Sequence, residues 1–333
     1  MQIPRTAGVC LAAAAWALWP AAASFGQSDS LPNPYRLAAR WYQLPEGRIL
    51  GSIGGVSVAP DGNVWVLERC GANTCATSQI PPLLEFDPTG RLLHMFGAGL
   101  FMFPHGLTID SSGNLWVADG QGQPGKGYRV FEFSPEGRIL MTLGQAGIAG
   151  DGPDTFDQPD SVAVAPNGDI FVADGHTPGR RNARVVKFSR NGRFLKQWGG
   201  HGSGPGQFEV PHSLAFDSRG RLFVGDRDNN RIQIFDQDGR FLAQWRQFGR
   251  PSGIFIDPDD RIYVADSEST EKEGYGHNPG FARGIRIGSA KDGSLTAFIP
   301  DSANDIQSVA ADAQGNIYAA GVASKDVLKF VRK

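Results

Sequence analysis

One pattern of alternating apolar and polar residues recurs along most of the chain. Its clearest copy is the stretch PHGLTIDSSGNLWVADG, which begins at Pro104. Each copy alternates, turns at a pair of the Asp-Gly or Asn-Gly type, and alternates again, as a half-buried antiparallel hairpin does. The pattern therefore predicts six hairpins. They begin near Ile53, Pro104, Gln158, Pro211, Arg250 and Ile306.

The spacing of the copies is that of a propeller blade. A second pair of alternating segments follows the hairpins, as in RIQIFDQDGRFLAQW from Arg231. Units of four strands every 40 to 55 residues, with almost no helical periodicity, predict an all-β, six-bladed β-propeller rather than a solenoid or a sandwich. The residue that precedes each first strand defines what we call the column. Its members are Gly54, His105, Asp160, His212, Ser252 and Gln307.

Closure of the ring requires a strand from the other end of the chain. The last repeat ends at VLKFVRK after only three strands, which would leave an unpaired edge strand. Residues 39–44, ARWYQL, alternate as an outer strand should. We therefore predict that the last blade is closed by this N-terminal strand.

An apolar run at residues 9–23 follows Arg5 and is broken by Pro20. About 15 apolar residues are short for a membrane span but suit the core of a signal peptide. We predict cleavage after Ala23, with Gly26 as the alternative site and an uncleaved anchor as the alternative reading. The predicted organisation is a signal peptide at 1–23, a lead-in at 24–37 and the propeller at 38–333, in an exported protein, periplasmic or secreted, that is free of the membrane after cleavage.

Composition agrees with this fold and limits the partners. The chain has 333 residues with 44 Gly and 22 Pro, which suits many short strands joined by turns, and its length fits one propeller, which we expect to be monomeric. Its net charge of −2 gives no reason to expect nucleic acid as a partner. After signal cleavage only Cys70 and Cys75 remain, and an oxidising compartment favours a disulfide between them.

Propeller topology gathers the chemically interesting side chains on one face. The innermost strand comes first in each blade, so the column lies at the rim of the central channel, together with the loops between second and third strands. His105 and His212, two blades apart, then face each other across the channel, where converging imidazoles are natural zinc ligands. The alternative is that each His caps its own turn. The predicted rim set is Arg69, His105, Asp160, His176, His212, Arg227, Ser252, His277 and Gln307.

The repeats resemble NHL repeats, and the phrases GVSVAPDGNVWVLER, PHGLTIDSSGNLWVADG and GPGQFEVPHSLAFD are similar to those of peptidyl-α-hydroxyglycine α-amidating lyases. The resemblance covers nearly the whole mature chain. It implies a six-bladed propeller with zinc held by three His from alternate blades, a catalytic Tyr, an Arg on the substrate and a structural calcium. By position it assigns the metal to His105 and His212, and the substrate carboxylate to Arg69.

Two positions depart from the family pattern. The third metal-ligand position is Gln307, and the position of the catalytic Tyr is His176. An amide is a weaker zinc ligand than an imidazole, so either two His and water hold the ion beside Gln307, or His176 or His277 substitutes.

The implied activity is cleavage of the carbinolamide C–N bond of a peptidyl-α-hydroxyglycine to a peptide amide and glyoxylate. The expected partner is a small-molecule substrate or a peptide C-terminus. His176 would be the base, and Asp160 and Arg227 would contact the substrate. The alternatives are a non-catalytic NHL propeller that binds a partner through the same rim and, third, a calcium-dependent lactonase-like hydrolase.

Overall fold

The computed structural model describes residues 29–301 and 303–333. The predicted signal peptide and both cleavage sites lie outside these residues. Within them the chain forms 24 strands, and a 3-10 turn at Arg227–Asn229 joins two strands of one sheet. No helix of this part is long and apolar enough to cross a membrane.

The strands form six sheets of four, and each sheet is one blade. Blades 1 and 2 contain β2 (Ile53–Val58), β3 (Val64–Glu68), β4 (Leu83–Phe86), β5 (Leu92–Phe96), β6 (Pro104–Ile109), β7 (Leu115–Gln123), β8 (Lys126–Phe133) and β9 (Ile139–Leu143). Blades 3 and 4 contain β10 (Pro159–Val164), β11 (Ile170–Asp174), β12 (Arg184–Phe188), β13 (Phe194–Gly199), β14 (Pro211–Phe216), β15 (Leu222–Asp226), β16 (Arg231–Phe235) and β17 (Phe241–Trp245). Blades 5 and 6 contain β18 (Gly253–Ile256), β19 (Arg261–Asp266), β20 (Gly284–Ser289), β21 (Leu295–Pro300), β22 (Ile306–Ala311), β23 (Ile317–Gly321), β24 (Asp326–Arg332) and β1 (Tyr35–Leu37).

Neighbouring strands within each blade run antiparallel, and the predicted six-bladed propeller is confirmed. The hydrophobic core is divided among the gaps between blades. One cluster, for example, packs Trp116 and Val130 of blade 2 against Val162 and Val186 of blade 3. Because each blade buries both faces against its neighbours, the ring holds its six innermost strands around one channel.

The prediction that residues 39–44 close the last blade is wrong in position. The closing strand is β1, Tyr35–Leu37, which pairs antiparallel with β24. Residues 39–44, all of them described, form no strand. Trp41 Nε1 donates to the Val327 carbonyl at 2.8 Å, and both Trp41 and Tyr42 pack into the core between blades 6 and 1. Because these two aromatic rings pack into the core, the backbone of residues 39–44 does not pair with the sheet of blade 6.

A β-bulge fixes the direction of the column side chains. In five of the six blades the strand register shifts at the column residue, which therefore has no partner on the second strand. A bulge of this kind turns a side chain away from the regular alternation. The five positions are Gly54, His105, Asp160, His212 and Gln307.

Candidate metal centre at the channel rim

Three imidazoles and one carboxylate meet at one end of the channel. His105, Asp160 and His212 come from the bulges of blades 2, 3 and 4, and His176 comes from the loop after β11. One ligand atom from each of the four lies within 4.8 Å of the others. The ring centroid of His105 lies 4.6 Å from that of His176 and 4.9 Å from that of His212. This cluster, which we call the His/Asp cluster, is the described chain's only such group of three or more metal-binding side chains.

Close approach of blades 2 and 3 brings Asp160 to the imidazoles. Gly106 follows His105 directly, and a Cβ atom there would lie 2.3 Å from the Asp160 carbonyl oxygen. Only glycine fits at that distance. The small residue therefore lets the innermost strands of the two blades touch beside the cluster.

Asp160 contacts two imidazoles at once. Nδ1 of His176 hydrogen-bonds to its carboxylate Oδ2 at 3.1 Å, and Nδ1 of His105 hydrogen-bonds to its backbone carbonyl oxygen at 3.3 Å, with Oδ1 3.0 Å from both Nδ1 atoms. Burial works to raise the pKa of Asp160, but His105, His176 and His212 together outweigh it and hold that pKa well below its usual value. Asp160 is thus a buried carboxylate anion that orients His176 through its carboxylate and His105 through its backbone carbonyl.

Nδ1 of each channel imidazole faces an oxygen, which leaves the lone pair of the ring on Nε2. Nδ1 of His212 lies 2.6 Å from the Ser252 carbonyl oxygen, which can only accept, so Nδ1 carries the hydrogen. Burial lowers the pKa of both His105 and His212 and outweighs the opposing effect of the Asp160 carboxylate. Nε2 of His105 is buried without a hydrogen-bond partner. A neutral imidazole whose Nδ1 donates to an oxygen is the form that binds a metal through Nε2.

Gln307 lies at the same point of the channel. Its amide nitrogen is 3.4 Å from Nε2 of His212, and its Oε1 is buried without a partner. The Gln307 amide N–H therefore donates to Nε2 of His212, and the donors at this point of the channel are the two imidazoles, with the Gln307 amide beside them. These donors and the nearby Asp160 carboxylate fit a divalent ion such as zinc.

The channel offers few charged side chains for calcium. Calcium takes six to eight oxygen ligands, from carboxylates, carbonyls and water. The cavity along the channel has a volume of about 270 Å³, and Asp160 contributes the only carboxylate among its described lining residues. That carboxylate already faces imidazoles, and the structural calcium stays a prediction without an assigned site.

Arg69 is a buried cation next to the cluster. Its guanidinium carbon lies 3.7 Å above the centre of the Phe103 ring, which in turn stacks on His105 at 6.2 Å. Burial lowers the pKa of Arg69 to about 10, so it remains charged at neutral pH. Within the described residues no carboxylate forms an ion pair with Arg69: Glu68 pairs with Arg48 instead.

Arg227 reaches the same rim but has its own partners. It lies 3.2 Å from Asp228 and 3.4 Å from Glu268, and Nη2 donates to the His176 carbonyl oxygen at 3.4 Å. Burial alone would lower the pKa of Arg227, but the neighbouring acidic groups, Glu268 foremost, outweigh it and raise that pKa. Arg227 therefore contacts the backbone of the His176 loop, while its charge is already compensated.

The side chains of two further predicted rim residues, His277 and Ser252, do not reach the His/Asp cluster. His277 is half-buried on the loop after β19, with Nε2 3.4 Å from Glu273, so it is not placed to replace a ligand. The Ser252 hydroxyl bonds to Ser267 at 2.7 Å, and only its carbonyl reaches the cluster. The predicted bridge between Cys70 and Cys75 is present and closes the loop that follows Arg69.

The sequence did not reveal how these residues contact one another. Asp160 was visible as a column member, but its contact with His105 and His176 depends on the width of the channel. Phe103 beneath Arg69 and Asn73 beside it carry no motif. A signal for Phe103 was nevertheless present, because it lies two residues before His105 on the approach to the same strand.

Three segments of the chain, residues 101–122, 156–188 and 208–235, match the NHL repeat. The chain is 37% identical over 205 residues to peptidyl-glycine alpha-amidating monooxygenase B of Xenopus laevis, covering 54% of this chain and 22% of the relative. It is 40% identical over 142 residues to a probable peptidyl-alpha-hydroxyglycine alpha-amidating lyase of Caenorhabditis elegans, covering 41% and 38%. Human NHL repeat-containing protein 3 is 33% identical over 199 residues, covering 58% and 54%. The chain thus spans between about a fifth and a half of these relatives.

Solved structures agree on the fold. A gluconolactonase of Xanthomonas campestris superimposes with a TM-score of 0.60 at 13% identity, covering 91% of this chain and 96% of that one. A streptogramin B lyase gives a TM-score of 0.57 at 13% identity, covering 90% and 98%. At such identities the likeness concerns the fold alone. The chain is an NHL-repeat, six-bladed β-propeller that resembles the peptidyl-α-hydroxyglycine α-amidating lyases.

Proposed function

We propose that the protein is a metal-dependent lyase that cleaves the carbinolamide C–N bond of a peptidyl-α-hydroxyglycine or a smaller N-acyl analogue. The observation that carries this proposal is that Arg69 lies next to the His/Asp cluster. Arg69 is a buried guanidinium without a carboxylate ion-pair partner in the described chain. A substrate that ends in a carboxylate next to a hydroxylated carbon needs both features.

In this proposal His105 and His212 hold a divalent ion through Nε2, with Gln307 at the third position. The ion, when bound, acts as a Lewis acid that makes the substrate hydroxyl more acidic. The amide of Gln307 is the weak member of the set, so Gln307→His should tighten zinc binding.

The chain's own groups provide the remaining chemistry. Arg69 binds the substrate carboxylate with its guanidinium. His176 accepts the hydroxyl proton at Nε2, since its Nδ1 hydrogen is directed to Asp160 and no hydrogen bond within the described residues uses Nε2. As the hydroxyl becomes the aldehyde of glyoxylate, the C–N bond breaks, its electron pair passes to nitrogen, and the protonated imidazole returns a proton to that nitrogen. The products are an amide and glyoxylate, and the atoms balance.

The deciding experiment incubates the zinc-loaded protein with an acylated peptidyl-α-hydroxyglycine and measures glyoxylate and peptide amide. Equimolar products, lost in Arg69→Ala and kept in His277→Ala, support the proposal. His277 is the matched control because it is a rim-loop histidine outside the cluster. If the zinc-treated protein retains no metal and releases glyoxylate only at the uncatalysed rate, the proposal is contradicted. That result would favour an NHL propeller that only binds a partner at this rim.

Export is part of the same proposal. The apolar run at residues 9–23 and the Cys70–Cys75 bridge both support passage into an oxidising compartment, periplasmic or extracellular. N-terminal sequencing of the secreted or periplasmic protein tests it: a mature chain should begin at Ser24 or Gln27.

A further inference from the structure

We infer that the loop closed by the Cys70–Cys75 disulfide is a part of the substrate site, in which Asn73 positions Arg69 for the substrate carboxylate. The inference rests on the proposed function, because it assumes that Arg69 is the carboxylate receptor. It adds two positioning elements, Asn73 and the disulfide, that belong to this loop.

Arg69 differs from the other deeply buried arginines in its choice of partner. Arg184, Arg231 and Arg286 each pair with the aspartate that ends the second strand of their own blade. In blade 1 the corresponding acid is Glu68, which pairs with Arg48 and accepts the backbone N–H groups of Gly51 and Gly71. Arg69 is left to bind neutral groups.

Those neutral groups hold the guanidinium without cancelling its charge. Nη1 donates to the side-chain oxygen of Asn73 at 2.7 Å, and Nε donates to the Pro104 carbonyl oxygen at 3.3 Å. Nη2 makes no hydrogen bond within the described residues and is not among their fully enclosed unpaired atoms. A cation that is fixed on two sides by neutral acceptors and unpaired on the third is suited to receive an anion.

The disulfide determines where Asn73 lies. Cys70 follows Arg69 directly and has a φ of 56°, a conformation that a residue with a side chain holds only when its surroundings impose it. Cys75 is anchored by its N–H to the Met102 carbonyl at 2.9 Å. The bridge therefore ties the start of the loop to a fixed point, and Asn73 is carried on the short segment between them.

The test uses Asn73→Asp, which replaces the neutral acceptor with a carboxylate at the same place. Asn73 is exposed, so the change should leave the fold intact. An internal carboxylate beside Arg69 would compete with the substrate carboxylate. Thr77→Asp is the matched control: it adds the same charge at an exposed position two residues beyond the bridge. A Cys70→Ser/Cys75→Ser double variant tests the bridge itself.

The readout is the affinity of N-acetyl-phenylalanyl-glycine relative to its C-terminal amide, measured by calorimetry on the full folded protein. This ratio isolates recognition of the carboxylate, which a general loss of stability would not change. We expect the wild type and Thr77→Asp to prefer the acid, Asn73→Asp to lose about tenfold or more of that preference, and the double variant to lose part of it.

The possible failures are distinguishable. If the wild type prefers the acid and Asn73→Asp prefers it equally, the role of the loop is refuted while the carboxylate receptor of the proposed function stands. If the wild type does not distinguish the acid from the amide, the receptor itself is refuted and the inference falls with it. Should the double variant fail to fold, Asn73→Asp alone decides.

Discussion

At the scale of single residues, the partner of a buried charge decides what that charge can do. Asp160 and Arg69 are both buried at the rim, yet Asp160 is surrounded by imidazoles while Arg69 has only neutral acceptors. The first is committed to orienting His105 and His176, and the second is free to bind an anion. Sequence reasoning assigned both residues to the rim. It did not find their partners, because side-chain contacts between blades have no periodic signature.

Asp119 gives a prediction of pH-dependent stability at this scale. Asp119 is the last residue of β7 that pairs with β6. Its carboxylate accepts the backbone N–H groups of Met102 and Phe103. Burial raises its pKa to about 7, and those donors oppose the shift only in part. Since the pKa is higher in the folded than in the unfolded protein, stability from this group is complete below about pH 4 and is lost as the pH rises through 7.

We therefore expect the free energy of unfolding of the wild type, relative to Asp119→Asn, to fall by about 2 kcal/mol between pH 5 and pH 7. Denaturant titrations of both proteins at the two pH values measure this difference. Asp259→Asn is the control, because Asp259 is exposed and should give the same difference at both values. If the difference between the wild type and Asp119→Asn does not change with pH, the backbone donors rather than burial determine the pKa of Asp119.

At the scale of elements, hydrophobic alternation predicted the blades well and the closure less well. The first strands begin where the repeats begin, and the bulges fall on the column residues. The closing strand is only three residues long, Tyr35–Leu37, and has a single buried side chain. A segment so short carries almost no periodic signal, and the more strongly patterned residues 39–44 pack over the core instead.

This difference leads to a prediction about ring closure. Tyr35 is the one buried side chain of β1 and packs into the core between blades 5 and 6. Tyr35→Ala should lower the free energy of unfolding by about 3 kcal/mol, since it removes a large buried ring and leaves a cavity. Arg36→Ala, on the exposed face of the same strand, should change it by less than about 0.5 kcal/mol. Equal effects of the two changes in denaturant unfolding would mean that β1 closes the ring through its backbone alone.

At the scale of the whole molecule, His105, His212 and Gln307 bring together three blades that are not neighbours in the ring. His105 and His212 belong to blades 2 and 4, and Gln307 belongs to blade 6, on the far side of the channel. The alternate-blade spacing was readable from the sequence, because a propeller converts a position in the repeat into an angle around the axis. The distances across the channel were not readable, because they depend on how six sheets pack.

A ligand held between blades 2, 4 and 6 should stabilise the ring as one unit. We expect saturating zinc to raise the Tm of the wild type by about 5 °C at a concentration 100 times its Kd, since only the folded propeller assembles the donors. His105→Ala and His212→Ala should abolish this shift, and a chelator should reverse it in the wild type. His277→Ala should keep the full shift, because that ring lies outside the cluster. A shift of equal size in His105→Ala and His212→Ala would place the stabilising ion elsewhere and remove the channel imidazoles from the proposed metal site.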